Sequence, residues 1–159
     1  MPHPSHRLDL ILLPAEPWVE DCLDRAWAAW CAHGYIDEQG NPGANARGLV
    51  GGGFARVRQD RPAQPHLYGN QQGGFRALCP HCNGGMAGQL TQQAVVVDRV
   101  ACPTCEASMP VNALVFRPEA ARSFGALVVA DAESARLTDA AWSELTGLWG
   151  DARLIWRRG

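Results

Sequence analysis

Cysteines are the residues best equipped for chemistry in this 159-residue chain, and four of its six come as two pairs. Cys79-Pro80-His81-Cys82 and Cys102-Pro103-Thr104-Cys105 are nineteen residues apart, giving C-x2-C-x19-C-x2-C. A CxxC turn aims both sulfurs at one point, so two facing turns offer four thiolates to one tetrahedral cation at about 2.3 Å. Four thiolates leave no open coordination position, which predicts a structural rather than a catalytic Zn²⁺. Pro80 and Pro103 fix φ inside each turn and lower the ordering cost of metal capture.

The letters CPHC also suit thiol-disulfide exchange in thioredoxin-like oxidoreductases. That chemistry needs a helix starting at the pair, whose positive dipole end lowers the pKa of the first thiol. Here the pair runs into Asn83-Gly84-Gly85-Met86-Ala87-Gly88. Each glycine costs about 1 kcal/mol in a helix interior, so no activating helix is predicted. A redox dithiol therefore ranks below zinc, as does iron held by the same four sulfurs.

The runs FRAL, AVVVDRVA and VNALVF flank the two pairs and predict a three-stranded β-rich segment over residues 74–116. With CPHC and CPTC at hairpin tips, this segment resembles a zinc ribbon with rubredoxin-type knuckles. The resemblance implies that Cys79, Cys82, Cys102 and Cys105 ligate one zinc, with His81 pointing outward. Such knuckles often carry glycine directly after the second cysteine, where this chain has Asn83 and Glu106. A left-handed exit is expected at Asn83 or Gly84, and a looser second knuckle at Glu106.

Elements on either side must carry this segment. RLDLILL (7–13) predicts a buried strand, and residues 15–34 a helix with Pro17 in its first turn and Gly34 at its stop. Trp18, Cys22, Leu23, Ala26, Trp27, Trp30 and Cys31 form its apolar stripe, opposite Glu20, Asp21, Asp24 and Arg25. Cys22 and Cys31 are about 13.5 Å apart along that helix, too far for a disulfide, and read as small buried residues. Residues 37–53 predict a glycine-rich loop, 54–58 a weak strand and 61–74 a second, polar loop. Beyond the cysteines come a strand at 124–130, a helix capped by Thr138 and stopped by Gly150, and a closing strand from Ala152.

The order strand-helix-strand, cysteine segment, strand-helix-strand predicts an α+β fold: a ferredoxin-like core of two helices on a four-stranded sheet. Residues 1–73 and 117–159 would form that core, with 74–116 inserted as the ribbon. The six tryptophans fall on the helix stripes and the last strand, which reads as core rather than a base-stacking platform.

Composition is that of a soluble globular protein, 47% apolar and 19% charged, with a net charge of −2 that draws neither nucleic acid nor anionic membrane. All 14 basic residues are arginine. Without lysine the glycine-rich loop is no P-loop, and Arg56 replaces the third glycine of a dinucleotide fingerprint. No secretory signal or membrane span is predicted, so the expected location is cytoplasmic, where cysteines serve metals before disulfides. His3, His6, His33 and His66 lack ligand spacing, His3 and His6 being expected in a disordered terminus. No nucleophile elbow or carboxylate pair appears either, which favours a non-catalytic protein.

Another protein is the expected partner, in a bacterial adaptor, regulatory or toxin-neutralising role. The alternative is nucleic acid, held by the ribbon and by Arg56, Arg58 and Arg61 with Arg153, Arg157 and Arg158. Against it, Arg76, Arg99, Asp98 and Glu106 cancel within 74–110. Nothing in the sequence sets the oligomeric state.

Overall fold

The computed structural model describes residues 8–69 and 75–158, leaving His3, His6, Arg7 and Gly74 outside the described residues. Their elements are β1 (Leu8–Pro14), α1 (Cys22–Ala32), β2 (Arg56–Asp60), β3 (His66–Gly69), β4 (Arg76–Leu78) and α2 (Gln92–Val97). There follow β5 (Arg99–Ala101), β6 (Ser108–Pro110), β7 (Val115–Arg117), β8 (Ala120–Ser123), β9 (Ala126–Ala132), α3 (Asp139–Trp149) and β10 (Ala152–Arg158). The architecture is mixed α and β, with antiparallel strand pairs in open sheets. Contacts divide it into two units, Met1–Arg61 with Gly125–Gly159, and Pro62–Phe124.

In the first unit the sheet order is β10-β1-β9-β2, and every pairing is antiparallel. Alternation along the strands turns Leu10, Leu12, Val57, Leu127 and Val129 to one face. There they join Leu23, Ala26 and Trp30 from α1 and Ala141, Leu145 and Trp149 from α3 in one apolar core. The Trp149 indole Nε1–H donates to the Cys22 carbonyl at 2.9 Å and locks α3 to the first turn of α1.

Helix α1 starts later than expected. Pro17 stands outside it, and the first helical bond runs from Arg25 N–H to Asp21 C=O. Cys22 N–H bonds Val19 C=O in a turn just before, and Asp21 holds the N-cap position with its carboxylate paired to the Arg25 side chain rather than to a backbone N–H. Trp18 still packs against the core. Trp156 departs from the core expectation: it is 44% exposed, because it sits near the far end of an edge strand, beyond the residues that the helices cover.

The glycine-rich loop is packed rather than open, with Leu49 and Val50 fully buried. Gly40 has φ +85, and a Cβ there would lie 2.0 Å from the Val57 carbonyl oxygen. Its own carbonyl accepts from Val57 N–H, so the loop covers the β2 edge at that point. Thr138 ties the same loop to α3: its hydroxyl donates to Gly48 C=O and accepts from Ala141 N–H as the N-cap.

The second unit has three two-stranded pairs, β3–β8, β4–β7 and β5–β6, rather than one three-stranded sheet. It extends past 74–116 because β3, within the expected polar loop, pairs with β8. AVVVDRVA is only partly strand. Thr91 accepts from Ala94 N–H and starts a helix, which ends on Asp98 in the left-handed conformation before β5 begins. The VNA of VNALVF is likewise a single 3-10 turn.

Arg122 on β8 is the charged residue this unit buries. Its guanidinium donates to the carbonyls of Val95 and Val96 at the end of α2, lies 3.8 Å from Asp98 Oδ1, and stacks 4.9 Å from the Phe124 ring centre. It thus satisfies helix-end acceptors that α2 itself cannot. Replacement by methionine, Arg122→Met, is expected to destabilise this unit by about 3 kcal/mol, mainly through carbonyls left without donors. All six tryptophans lie in the first unit, so their fluorescence should hold while far-UV circular dichroism and amide exchange report the loss.

Candidate metal centre

The four sulfurs of Cys79, Cys82, Cys102 and Cys105 all lie within 4.8 Å of one another. Across the two pairs, Cys79 Sγ lies 3.7 Å from Cys105 Sγ and Cys82 Sγ 3.5 Å from Cys102 Sγ. A tetrahedron with metal–sulfur bonds of about 2.3 Å has edges of about 3.8 Å, so the cluster fits a tetrahedral cation. No other group of three or more metal-ligating side chains converges this way among the described residues.

Two turns of the same build create this convergence. The first closes between β4 and the Leu78–Gly85 bridge, the second between β5 and β6. In the first, Cys79 N–H donates to Gly84 C=O and Asn83 N–H to Cys79 C=O; in the second, Cys102 N–H donates to Ala107 C=O and Glu106 N–H to Cys102 C=O. Asn83 and Glu106 both turn left-handed, at φ 64 and 65. The second knuckle is therefore not looser: glutamate adopts the conformation that asparagine takes more readily. Gly84 permits close approach of the turns, since a Cβ would meet Thr104 Oγ1 at 3.0 Å and Cys82 Sγ at 3.2 Å.

Backbone donors point at the sulfurs, as a negatively charged cluster requires. Cys79 accepts from His81 N–H and Cys82 from Gly84 N–H, each at 3.4 Å; Cys102 accepts from Thr104 and Cys105 N–H. The leading cysteine of each pair is buried among Ala77, Met86, Val100 and Met109, whereas Cys82 and Cys105 reach solvent. His81 is exposed and outside the sulfur cluster.

The thiols influence one another strongly. Donation from Cys105 and Thr104 N–H, with help from Cys82, brings Cys102 down to about 6. Against the Gly84 N–H, which lowers it, the sulfurs of Cys102, Cys105 and Cys79 and partial burial push Cys82 up to about 12. Burial and the same neighbours also raise Cys105, outweighing its Ala107 N–H. One thiolate forms readily and the next are resisted, which is how a site built for a cation behaves without one.

Cys22 and Cys31 are not members of the cluster; Cys22 is buried as expected, Cys31 only partly. Burial raises the pKa of both, so neither is an activated nucleophile. Nor does the redox geometry form: after Cys82 the chain enters the Gly85 bridge and a short 3-10 turn at Ala87–Gln89, with no α-helix at the pair. The features that sequence reasoning missed here are the capped helix α2, signalled by Thr91, and buried Arg122, which no local pattern announced.

Two outcomes test this geometry. Glu106→Val, which places a β-branched side chain at φ 65, should cost about 1–2 kcal/mol and loosen metal retention, while Glu106→Gly should retain the metal at least as well as the parent. Competition against a chelator at fixed pH reads the order of the three proteins. Metal capture must also displace the protons held by Cys82 and Cys105. Affinity is therefore expected to climb at least about a hundredfold per pH unit between pH 6 and 9, and to be lost on acidification. The same competition, corrected for chelator protonation, gives the slope.

Set against protein-family models, curated proteins and solved structures, the chain matches none of them.

Proposed function

We propose that this is a non-catalytic, cytoplasmic protein-binding protein in which Cys79, Cys82, Cys102 and Cys105 hold one structural Zn²⁺. The metal folds a ribbon-type module, with residues 74–116 as an insertion into a ferredoxin-like core. The single observation carrying this reading is the convergence of four sulfurs from two equivalent turns to within 4.8 Å. The all-thiolate donor set favours zinc over magnesium or calcium, which take oxygen ligands, and leaves no position for substrate. The sheet order β10-β1-β9-β2 with two strand-helix-strand connections supports the ferredoxin-like assignment.

In this reading the zinc rigidifies a surface for another protein, as in an adaptor, regulatory or toxin-neutralising protein. Residues 83–93 supply a polar, uncharged stretch next to the metal turns, mostly exposed. Nucleic acid is a poorer partner. Arg56 and Arg58 lie on one edge strand, β2, and Arg153 and Arg157 on the opposite one, β10. Arg61 is paired with Asp24 at 2.9 Å and Arg157 with Asp9 at 3.5 Å, so two of these charges are already partly neutralised.

Native mass spectrometry is expected to find one zinc per chain. Cys102→Ser should abolish it and unfold residues 74–116 by amide exchange, with tryptophan emission unchanged because every tryptophan lies in the first unit. Metal-free protein with full protection across 74–116 would overturn the assignment.

A further inference from the structure

Strand β10 is the outermost strand of the first unit's sheet, with β1 on one side and no strand on the other among the described residues. Seven residues of edge backbone, about 23 Å long, are available there. The opposite edge differs, because Gly40 C=O already takes the Val57 N–H of β2.

The β10 edge is flanked by a recess. A cavity of about 310 Å³ lies between Leu154 of β10 and the start of α3, walled by Leu137 and Trp142 with Arg136 and Asp139. A second, of about 290 Å³, shares Arg136, Leu137 and Asp139 and extends the recess to Gly51 and Ser134. Trp156 continues the side of β10 on which Leu154 lies and is 44% exposed. On the other side of the strand the Arg153 side chain makes no ion pair or hydrogen bond among the described residues. From Ala152 to Arg158 the strand carries three arginines and no acid, Arg157 being paired with Asp9 of β1.

We propose that β10 is a docking edge for an extended segment of another protein that alternates apolar and acidic residues. The segment adds a strand beside β10. Its apolar side chains face the helix side, one entering the recess against Leu137, Trp142 and Leu154 and another covering Trp156. Its carboxylates fall on the far side, toward Arg153. Main-chain hydrogen bonds give affinity and the alternation gives specificity, as in strand addition generally.

Charge argues against a second copy as the occupant. Full antiparallel overlap of two β10 strands, centred on Ile155, sets Arg153 opposite Arg157 twice, and like charges directly opposite destabilise a pair. The recess is too neutral to choose a ligand by charge alone, because Arg136 and Asp139 share its rim. Selection therefore rests on the strand edge together with the recess. This site lies wholly in the first unit and stands whether or not the second holds zinc.

The test uses the intact chain and a fluorescein-labelled octapeptide of alternating glutamate and leucine. Saturable anisotropy is expected, with amide shifts concentrated at 152–158 and around the start of α3. Lysine in place of glutamate should weaken binding about tenfold, and alternate N-methylation of the peptide backbone should abolish it. Arg153→Glu and Trp156→Ala should each weaken it about fivefold with the fold intact by circular dichroism. Three results would sink the proposal: no saturation, equal affinity for a peptide of four glutamates followed by four leucines, or shifts confined to 79–110. A dimer broken by Trp156→Glu would overturn it too, by giving the edge to a second copy.

Discussion

Four sulfurs held within 4.8 Å of one another cannot all carry charge at neutral pH unless a cation lies among them. The opposed shifts of Cys102 and Cys82 express that constraint: the first proton leaves easily and the later ones do not. A divalent cation reverses the balance, because it turns mutual repulsion into four attractive bonds. The second unit is closed in part by Arg122, which ties α2 to β8. Its strands are three or four residues long and pair only two by two, and its apolar cluster includes two of the sulfur-bearing residues, Cys79 and Cys102. A unit of about sixty residues is marginally stable on its apolar core alone, so a crosslink or a metal adds a large fraction of its stability.

The first unit is stabilised differently. Its central strands are seven residues long, its two longer helices bury continuous apolar faces, and polar ties such as Trp149 to Cys22 and Thr138 to Gly48 fasten loops to helices. An ion pair between His33 and Glu144 adds to them, joining the end of α1 to α3, and no cluster of metal-ligating side chains occurs in this unit among the described residues. The two units therefore respond to separate variables. Packing stabilises the first, and a metal held by the four sulfurs would add to the stability of the second with the logarithm of its free concentration.

Reading the sequence alone recovered what depends on local pattern. The apolar runs at 7–13 and 124–130, the Thr138 cap and the Gly150 stop all gave elements within about two residues of their observed bounds. So did the cysteine spacing, since a CxxC turn is a local structure whose sulfurs converge whatever surrounds it. Readings failed where long-range contacts decide. AVVVDRVA has strand-forming residues, yet Thr91 at one end, Asp98 at the other and Arg122 from β8 make its first half helical. Trp156 has the spacing of a core residue, but an edge strand outruns the helices that would cover it. β3 was hidden in a polar loop because its partner β8 lies more than fifty residues away.

The two metal turns show how much of such a site is backbone and how little is side chain. CPHCNG and CPTCEA share the two cysteines and one proline, yet they make the same pair of backbone bonds and the same left-handed exit. The exit follows from what the second sulfur needs. Bringing the N–H of Gly84 onto Cys82, or that of Ala107 onto Cys105, requires the intervening residue to reverse the chain within one step. Glutamate at 106 pays a steric penalty for that reversal which asparagine at 83 largely avoids. That penalty persists because other interactions hold the turn: the backbone bonds from Cys102 N–H to Ala107 C=O and from Glu106 N–H to Cys102 C=O, to which bonds from Cys102 and Cys105 to a shared cation would add.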